Sequence, residues 1–374
     1  MNSDRPEDGG DLQVDADGTI HVPAYELPLS AALSDRSRQA MAAALRAAPR
    51  MTFPQARDFT TEAAFKAAAD DFRARLDAAF APLSERLLAA FPVKIARGTM
   101  NGVPVEEFSP LDGLDRERVL INLHGGNFCA GAPIIARVES IPLASLGRFR
   151  IVSVDYRQGY EHVFPAASED ACSVYEELLK TFAPGQIGIY GGSAGGVLTA
   201  QATAWILDRG LPAPGAIGMF GAGIGRQGDG AYLGAIGMGR RPPTTLMGVP
   251  GGASVGYFST ASADDRRVNP FAAPLAFRKR FPPTLLITAT RAFDMSPAIA
   301  AHRALVQAGV DASLHVFDGL GHCFHYDATA PEGADAYETM VRFFRKRLRP
   351  VRPKAPAGVT AGEAAARYRN RSSA

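Results

Sequence analysis

The sequence predicts an α/β protein: a mainly parallel central sheet with helices on both faces, a helical N-terminal region and a lid or cap insertion. Three observations carry that expectation. Short apolar strands alternate with helical segments over most of the chain, and parallel strands need such crossovers. A helix-rich stretch precedes the alternation. One long segment dense in glycine and proline interrupts it, too long for an ordinary connection.

The elements follow in order. Residues 1–33 read as a polar N-terminal arm. Residues 34–91 read as a helical N-terminal region, because "DRSRQAMAAALRAA" and "EAAFKAAADDFRARLDAAFAPLSERLLAAF" place apolar residues at helical spacing. Residues 92–220 and 270–348 form the α/β core. It begins with "VKIARGTMNGVPVEEFSP", a hairpin with an Asn-Gly turn. Strands are expected at 119–123, 150–155, 186–190, 216–220, 284–288 and 313–317. The clearest helices are expected at 168–182, 194–208, 297–308 and 334–348. Residues 221–269 form a cap or lid insertion, and 349–374 a basic tail in which prolines, glycines and alanines favour a solvated, disordered chain.

Composition excludes several function classes. The 374 residues are 47% hydrophobic and 21% charged, enough for one large core or two modest ones. Forty Lys and Arg against 38 Asp and Glu leave a formal charge of +2, so no broad basic face is available for nucleic acid. The first residues are acidic and polar, and no apolar run approaches membrane length, so neither a membrane nor a secretory route is expected. Cys129, Cys172 and Cys323 are an odd set without C-x-x-C spacing, which suits a reducing, cytoplasmic compartment. The histidines lack clustered carboxylates at ligand spacing, so neither a metal nor another cofactor is expected.

The chemistry centres on "IGIYGGSAGG". A strand ending at Tyr190, a turn from Gly191 to Gly195 and a helix directly after it make a nucleophile elbow with Ser193 at its tip. Residues two before and two after the serine must be tiny there, and Gly191 and Gly195 are. In "LINLHGGNF", the amides of Gly125 and Gly126 end another strand, and with Ala194 they are the expected donors to a tetrahedral oxyanion. A base belongs on a late loop, and His322 in "VFDGLGHCFHYD" follows the last strand through a short glycine turn. His325 reads as a surface or supporting histidine. Asn127, Phe128, Phe220, Met247, Tyr257 and Phe258 are the candidate lining of an apolar substrate pocket, with Met238 beside them.

Three separated motifs in the right order resemble the hormone-sensitive-lipase group of α/β-hydrolases, bacterial carboxylesterases with a helical cap. "HGGN" resembles H-G-G-G, "VDYRQGYEHVFPAASED" resembles D-Y-R-x-A-P-E-x-x-F-P-A-A-x-E-D, and "GGSAGG" resembles G-D-S-A-G-G. The resemblance covers about 119–344. It implies an α/β-hydrolase fold, a cap formed by the helical region 34–91 with the 221–269 insertion, a serine carboxylesterase acting on short-chain acyl esters through an acyl-enzyme, and a homodimer. It also implies that Asp155, Arg157 and Glu161 form a buried or half-buried charged support behind the site. The alternatives are a non-catalytic ligand-binding protein on the same fold, or a lactonase or amidase variant of the same chemistry. A further match, "GIGRQG", fits a dinucleotide fingerprint in form only: no clean helix follows, and Gly248 stands near where a ribose-binding acid belongs.

The departures are specific. Asn127 replaces a glycine and adds a side-chain amide near the pocket mouth. Gly192 stands where the family usually carries an acidic residue. An ungapped alignment through "QAGVDASLHVF" onto His322 puts the family's acid at Ala292, which cannot orient an imidazole. Asp294, the nearest carboxylate in that loop, becomes the candidate by elimination, in the chain order Ser193, Asp294, His322.

Overall fold

The computed structural model describes residues 13–21, 26–46, 54–225, 228–230, 232 and 254–349. Most of the 221–269 insertion, with Met238 and Met247, lies outside the described residues, as do parts of the N-terminal arm and the basic tail beyond Arg349.

A short antiparallel ribbon, β1 (Gln13–Val14) with β2 (Ile20–His21), precedes helix α1 (Asp35–Arg46) and the long helix α2 (Glu62–Ala90). The Thr61 side chain caps α2 by accepting from the Ala64 amide, satisfying one of the donors a helix start leaves free. The hairpin follows as β3 (Val93–Met100) and β4 (Val103–Pro110), with Asn101 and Gly102 both at positive φ in its turn. Next come β5 (Asp115–Leu123), α3 (Ile134–Gly147), β6 (Phe149–Val154), α4 (Ala166–Leu179), β7 (Ile187–Gly192), α5 (Ala194–Asp208) and β8 (Ala216–Phe220). Beyond the insertion lie a short α6 (Leu275–Arg278), β9 (Thr284–Ala289), α7 (Met295–Gln307), β10 (Ala312–Phe317) and α8 (Pro331–Arg347).

The main sheet has eight strands in the order β10-β9-β8-β7-β5-β6-β4-β3. All neighbours from β6 to β10 run parallel, and β3 and β4 close one side antiparallel. Alternation along the strands divides the core between the two faces. Val119, Ile121 and Leu123 of β5 join a cluster with Val152, Val197 and Leu198, whereas Leu120 points the other way, to Ile151, Tyr190 and Phe344. The second cluster also takes in Ala69, Phe72, Leu76 and Leu87, so α2 packs against α3 as part of the layer on that face.

Each predicted strand is present, with bounds moved by a few residues. Helix α3 was not among the helices the spacing singled out. Its sequence, "IIARVESIPLASLG", is apolar nearly all round and holds Pro142, so it has no 3.6-residue stripe to read; burial on several sides is what such a helix does. It carries one buried carboxylate, Glu139.

Candidate active site

In a parallel sheet the loops after the strands gather at the carboxyl edge. Here β5, β7, β9 and β10 end at Leu123, Gly192, Ala289 and Phe317, and the four pieces expected from sequence follow them. Ser193 sits between β7 and α5 at φ 52° and ψ −121°, a backbone conformation that a non-glycine residue holds only under constraint. The neighbouring glycines explain how strand and helix approach so closely. A Cβ on Gly195 would lie 1.7 Å from the Leu123 carbonyl oxygen, and one on Gly191 would lie 2.1 Å from the same atom.

Ser193 Oγ is 2.9 Å from His322 Nε2, and His322 Nδ1 is 2.6 Å from Asp294 Oδ1. The second carboxylate oxygen of Asp294 accepts from the Thr288 hydroxyl at 2.6 Å, at the end of β9, and Asp294 is fully buried. The Ala292 amide donates to Ala289, and the Met295 amide donates back to Ala292. This turn delivers Asp294 to the start of α7 and leaves Ala292 among Leu33, Ala289 and Leu320. The displaced acid thus reaches the histidine from a position two residues beyond the aligned one. Phe293 covers the His322 ring at 4.2 Å, a contact the sequence did not flag. Burial by itself lowers the imidazole pKa. The Cys323 sulfur near Nε2 and the Asp294 carboxylate at Nδ1 raise it by more, and the result stands above the ordinary 6.5.

The oxyanion expectation needs one correction. The Gly125 amide donates to Glu139 Oε1 at 3.0 Å, and its single hydrogen is therefore engaged. The amides of Gly126, Asn127 and Ala194 take no hydrogen bond among the described residues. Gly126, Asn127 and Phe128 all have positive φ, which turns this loop back on itself. The Asn127 side-chain amide is engaged with the N-terminal segment: its Nδ2 donates to the Pro54 carbonyl at 2.9 Å.

Other expected positions fall elsewhere. Phe220 is a core residue, 1% exposed, packed against Tyr190 and His325 on the α3 face of the sheet, because the alternation of β8 turns it that way. Phe128 and Tyr257 are buried and stacked at 5.0 Å, with the half-buried Phe258 against both. His325 is buried rather than on the surface, and burial lowers its pKa to about 3, so it is neutral. His124, likewise buried and lowered to about 4, stacks on Tyr156.

Asp155, Arg157 and Glu161 are exposed and do not form one buried support. Arg157 pairs with Asp170 and Glu169, and Glu161 pairs with Arg73 of α2. Asp155, Arg157, Glu161, Arg73 and Asp77 line a cleft of about 400 Å³, and Ser193 is not among its lining residues. The three cysteines are free and buried. Among the described residues no group of three or more His, Cys, Asp or Glu is placed to hold a metal, and no helix is long and apolar enough to cross a membrane.

Comparison with known proteins adds to this geometry. A family profile of the alpha/beta hydrolase fold matches residues 120–326, a span that holds all four loops. An acetyl-hydrolase of Streptomyces hygroscopicus is 29% identical over 231 residues, 61% of this chain and 75% of its own. A crystal structure of esterase E25 superposes with a TM-score of 0.72 at 26% identity, covering 88% of this chain and 99% of that one. A crystal structure of an esterase from the bacterial hormone-sensitive lipase family superposes with a TM-score of 0.66 at 25% identity, covering 84% and 99%.

Proposed function

Since the chain belongs to the alpha/beta hydrolase fold family, with esterases among its relatives, we propose that it is a serine carboxylesterase that cleaves short-chain acyl esters through an acyl-enzyme. One observation carries the reading: the chain of hydrogen bonds from Asp294 through His322 to Ser193, ending at a strained elbow beside unengaged amides. His322 takes the serine proton as Oγ attacks the ester carbonyl. Asp294 holds the ring in the tautomer with its proton on Nδ1 and steadies the imidazolium. The amides of Gly126, Asn127 and Ala194 receive the oxyanion. Collapse expels the alcohol, which takes the proton from His322, and water repeats the sequence on the acyl-enzyme.

A fluorophosphonate probe tests this directly, since it labels an activated serine whatever the natural ester. Labelling of the chain on Ser193 is expected, and labelling elsewhere, or none, overturns the assignment.

The raised pKa of His322 gives a pH dependence with a definite sign. A protonated ring cannot accept the serine proton, and the raised pKa keeps the ring protonated to higher pH. The kcat/KM is therefore expected to rise with pH along one ionisation lying above 6.5, and chelator is expected to leave the rate unchanged. A flat profile, or a rate restored only by added zinc or magnesium, contradicts the mechanism.

The acyl preference is supported by the acetyl-hydrolase relative and by the aromatic cluster of Phe128, Tyr257 and Phe258, which fills space close to the donor loop. In a series of p-nitrophenyl esters, acetate to butyrate are expected to outcompete chains of eight carbons or more; a preference for long-chain emulsions overturns this part alone. A cap built from the N-terminal region and the insertion belongs to the same proposal. Gly256 lies against Ala56 and Phe65, and Pro54 holds Asn127, so the two segments meet over the donor loop. The reading extends to a homodimer, supported by the resemblance and by β10, whose outer edge pairs with no described strand. It extends also to a cytoplasmic chain, supported by the three free thiols.

A further inference from the structure

Glu139 is 2% exposed, in the middle of a mostly apolar helix of which it is the only acid, and the serine mechanism does not use it. A carboxyl group is kept in such a place only when hydrogen bonds offset its desolvation. It has four. Oε1 accepts from the Gly125 amide at 3.0 Å and the Tyr326 hydroxyl at 2.7 Å. Oε2 accepts from Asn122 Nδ2 at 2.8 Å and the Gly192 amide at 3.2 Å. These partners come from separate parts of the site. Asn122 is the next-to-last residue of β5, Gly125 begins the donor loop, Gly192 precedes the nucleophile, and Tyr326 stands four residues after the base. Asn122 is itself fixed, accepting from the Ser153 hydroxyl at 2.7 Å.

We propose that Glu139 is a positioning residue that holds the donor loop, the nucleophile elbow and the base loop in mutual register from behind the site. The inference rests on the serine-hydrolase reading. The role follows from what the carboxyl group touches: two of its bonds go to main-chain amides next to reacting groups, so its displacement moves backbone rather than one side chain. Burial holds its pKa above the ordinary carboxylate range. The role survives either protonation state, because each oxygen keeps a lone pair for a main-chain amide.

The glycine at 192 is the other half of this arrangement. A Cβ there would lie 2.6 Å from Glu139 Oε1 and 3.0 Å from the Tyr326 hydroxyl, and all its nearest contacts belong to these two residues. Gly192 is the last residue of β7 and is not at positive φ, so its backbone admits a side chain once Glu139 is trimmed. The carboxylate and the glycine are therefore alternatives at one point in space: an acid at 192 excludes Glu139, and Glu139 requires glycine at 192.

That exclusivity supplies the test, read as the rate of Ser193 labelling by a fluorophosphonate and as kcat and KM on p-nitrophenyl acetate. In Glu139→Ala the labelling rate and kcat are expected to fall about 100-fold, the loss that a misplacement of about 1 Å produces, with KM within about threefold. Gly192→Asp alone is expected to be equally poor. The double variant Glu139→Ala/Gly192→Asp is expected to recover at least about tenfold over either single variant, a gain that a mere loss of packing cannot give. Circular dichroism melts establish which variants are folded. A folded Glu139→Ala that labels at the parent rate overturns the inference while leaving the serine assignment standing, and so does a double variant no better than the singles. Should Glu139→Ala fail to fold, Glu139→Gln takes its place: it keeps one acceptor and is expected to lose about tenfold, and parent-like labelling overturns the proposal. Absence of labelling in the parent chain removes the serine reading and this inference together.

Discussion

Replacing Ser193 by alanine is expected to lower kcat on any ester the chain cleaves by about 10⁶-fold and to abolish fluorophosphonate labelling. The size of the loss follows from the arrangement. Oγ at the tip of the elbow lies 2.9 Å from His322 Nε2, whereas the Cys323 sulfur, 3.5 Å from the same nitrogen, belongs to a buried thiol that burial holds protonated, so without Oγ the histidine loses its activated nucleophile. What remains is hydrolysis by water held near the three free amides, about 10³- to 10⁴-fold above the uncatalysed reaction. The fold is expected to survive, because the elbow's constraint comes from Gly191, Gly195 and the Ser193 amide bonded to the Phe220 carbonyl. A variant that keeps even a hundredth of the parent activity shows that another group is the nucleophile.

Asp294→Asn is expected to lower kcat by about 10⁴-fold with little change in stability. The structure says why the amide fails. One carboxylate oxygen serves Thr288 and the other serves His322 Nδ1, so an asparagine that satisfies the Thr288 hydroxyl with its oxygen presents its NH2 to the ring. The imidazole then carries its proton on Nε2, facing Ser193, and cannot act as a base. The pH limb of whatever activity remains is expected to shift downward, because the Asp294 charge helps to raise His322. Adding Ala292→Asp is not expected to rescue the variant, since that side chain faces Leu33, Ala289 and Leu320. Full activity in Asp294→Asn shows that the acid is dispensable or lies elsewhere.

The two carboxylates mark how far the sequence could be read. The strands were legible because alternation and short apolar runs report burial directly, and the elbow was legible because its glycines stand where a Cβ would come as close as 1.7 Å to a backbone oxygen. Asp294 was reachable only by elimination, since a loop turn between Ala289 and Met295 decides which side chain returns to the histidine, and no periodicity describes such a turn. Glu139 was out of reach. Its signal was a lone acid in "IIARVESIPLASLG", a rare placement for a buried charge, yet its partners lie as far as 187 residues along the chain. The donor loop was read one amide too early for the same reason: nothing nearby in sequence reveals that the Gly125 amide is engaged. The aromatic pocket was misread where strand alternation turned Phe220 inward.

The strand order has a consequence for how the chain loses its activity. Ser193 hangs from β7, in the middle of the sheet, but Asp294 and His322 hang from β9 and β10, the last two described strands on one side. The contact between Ser193 and His322 closes a loop of 129 residues, and among the described residues β10 has a neighbouring strand on one edge only. Outer strands open at lower free energy than central ones, and long loops close late. Gentle heating or mild denaturant is therefore expected to part His322 from Ser193 while β7 is still paired on both edges. Loss of activity is expected to precede melting of the sheet, and on refolding the Ser193–His322 hydrogen bond is expected to return late.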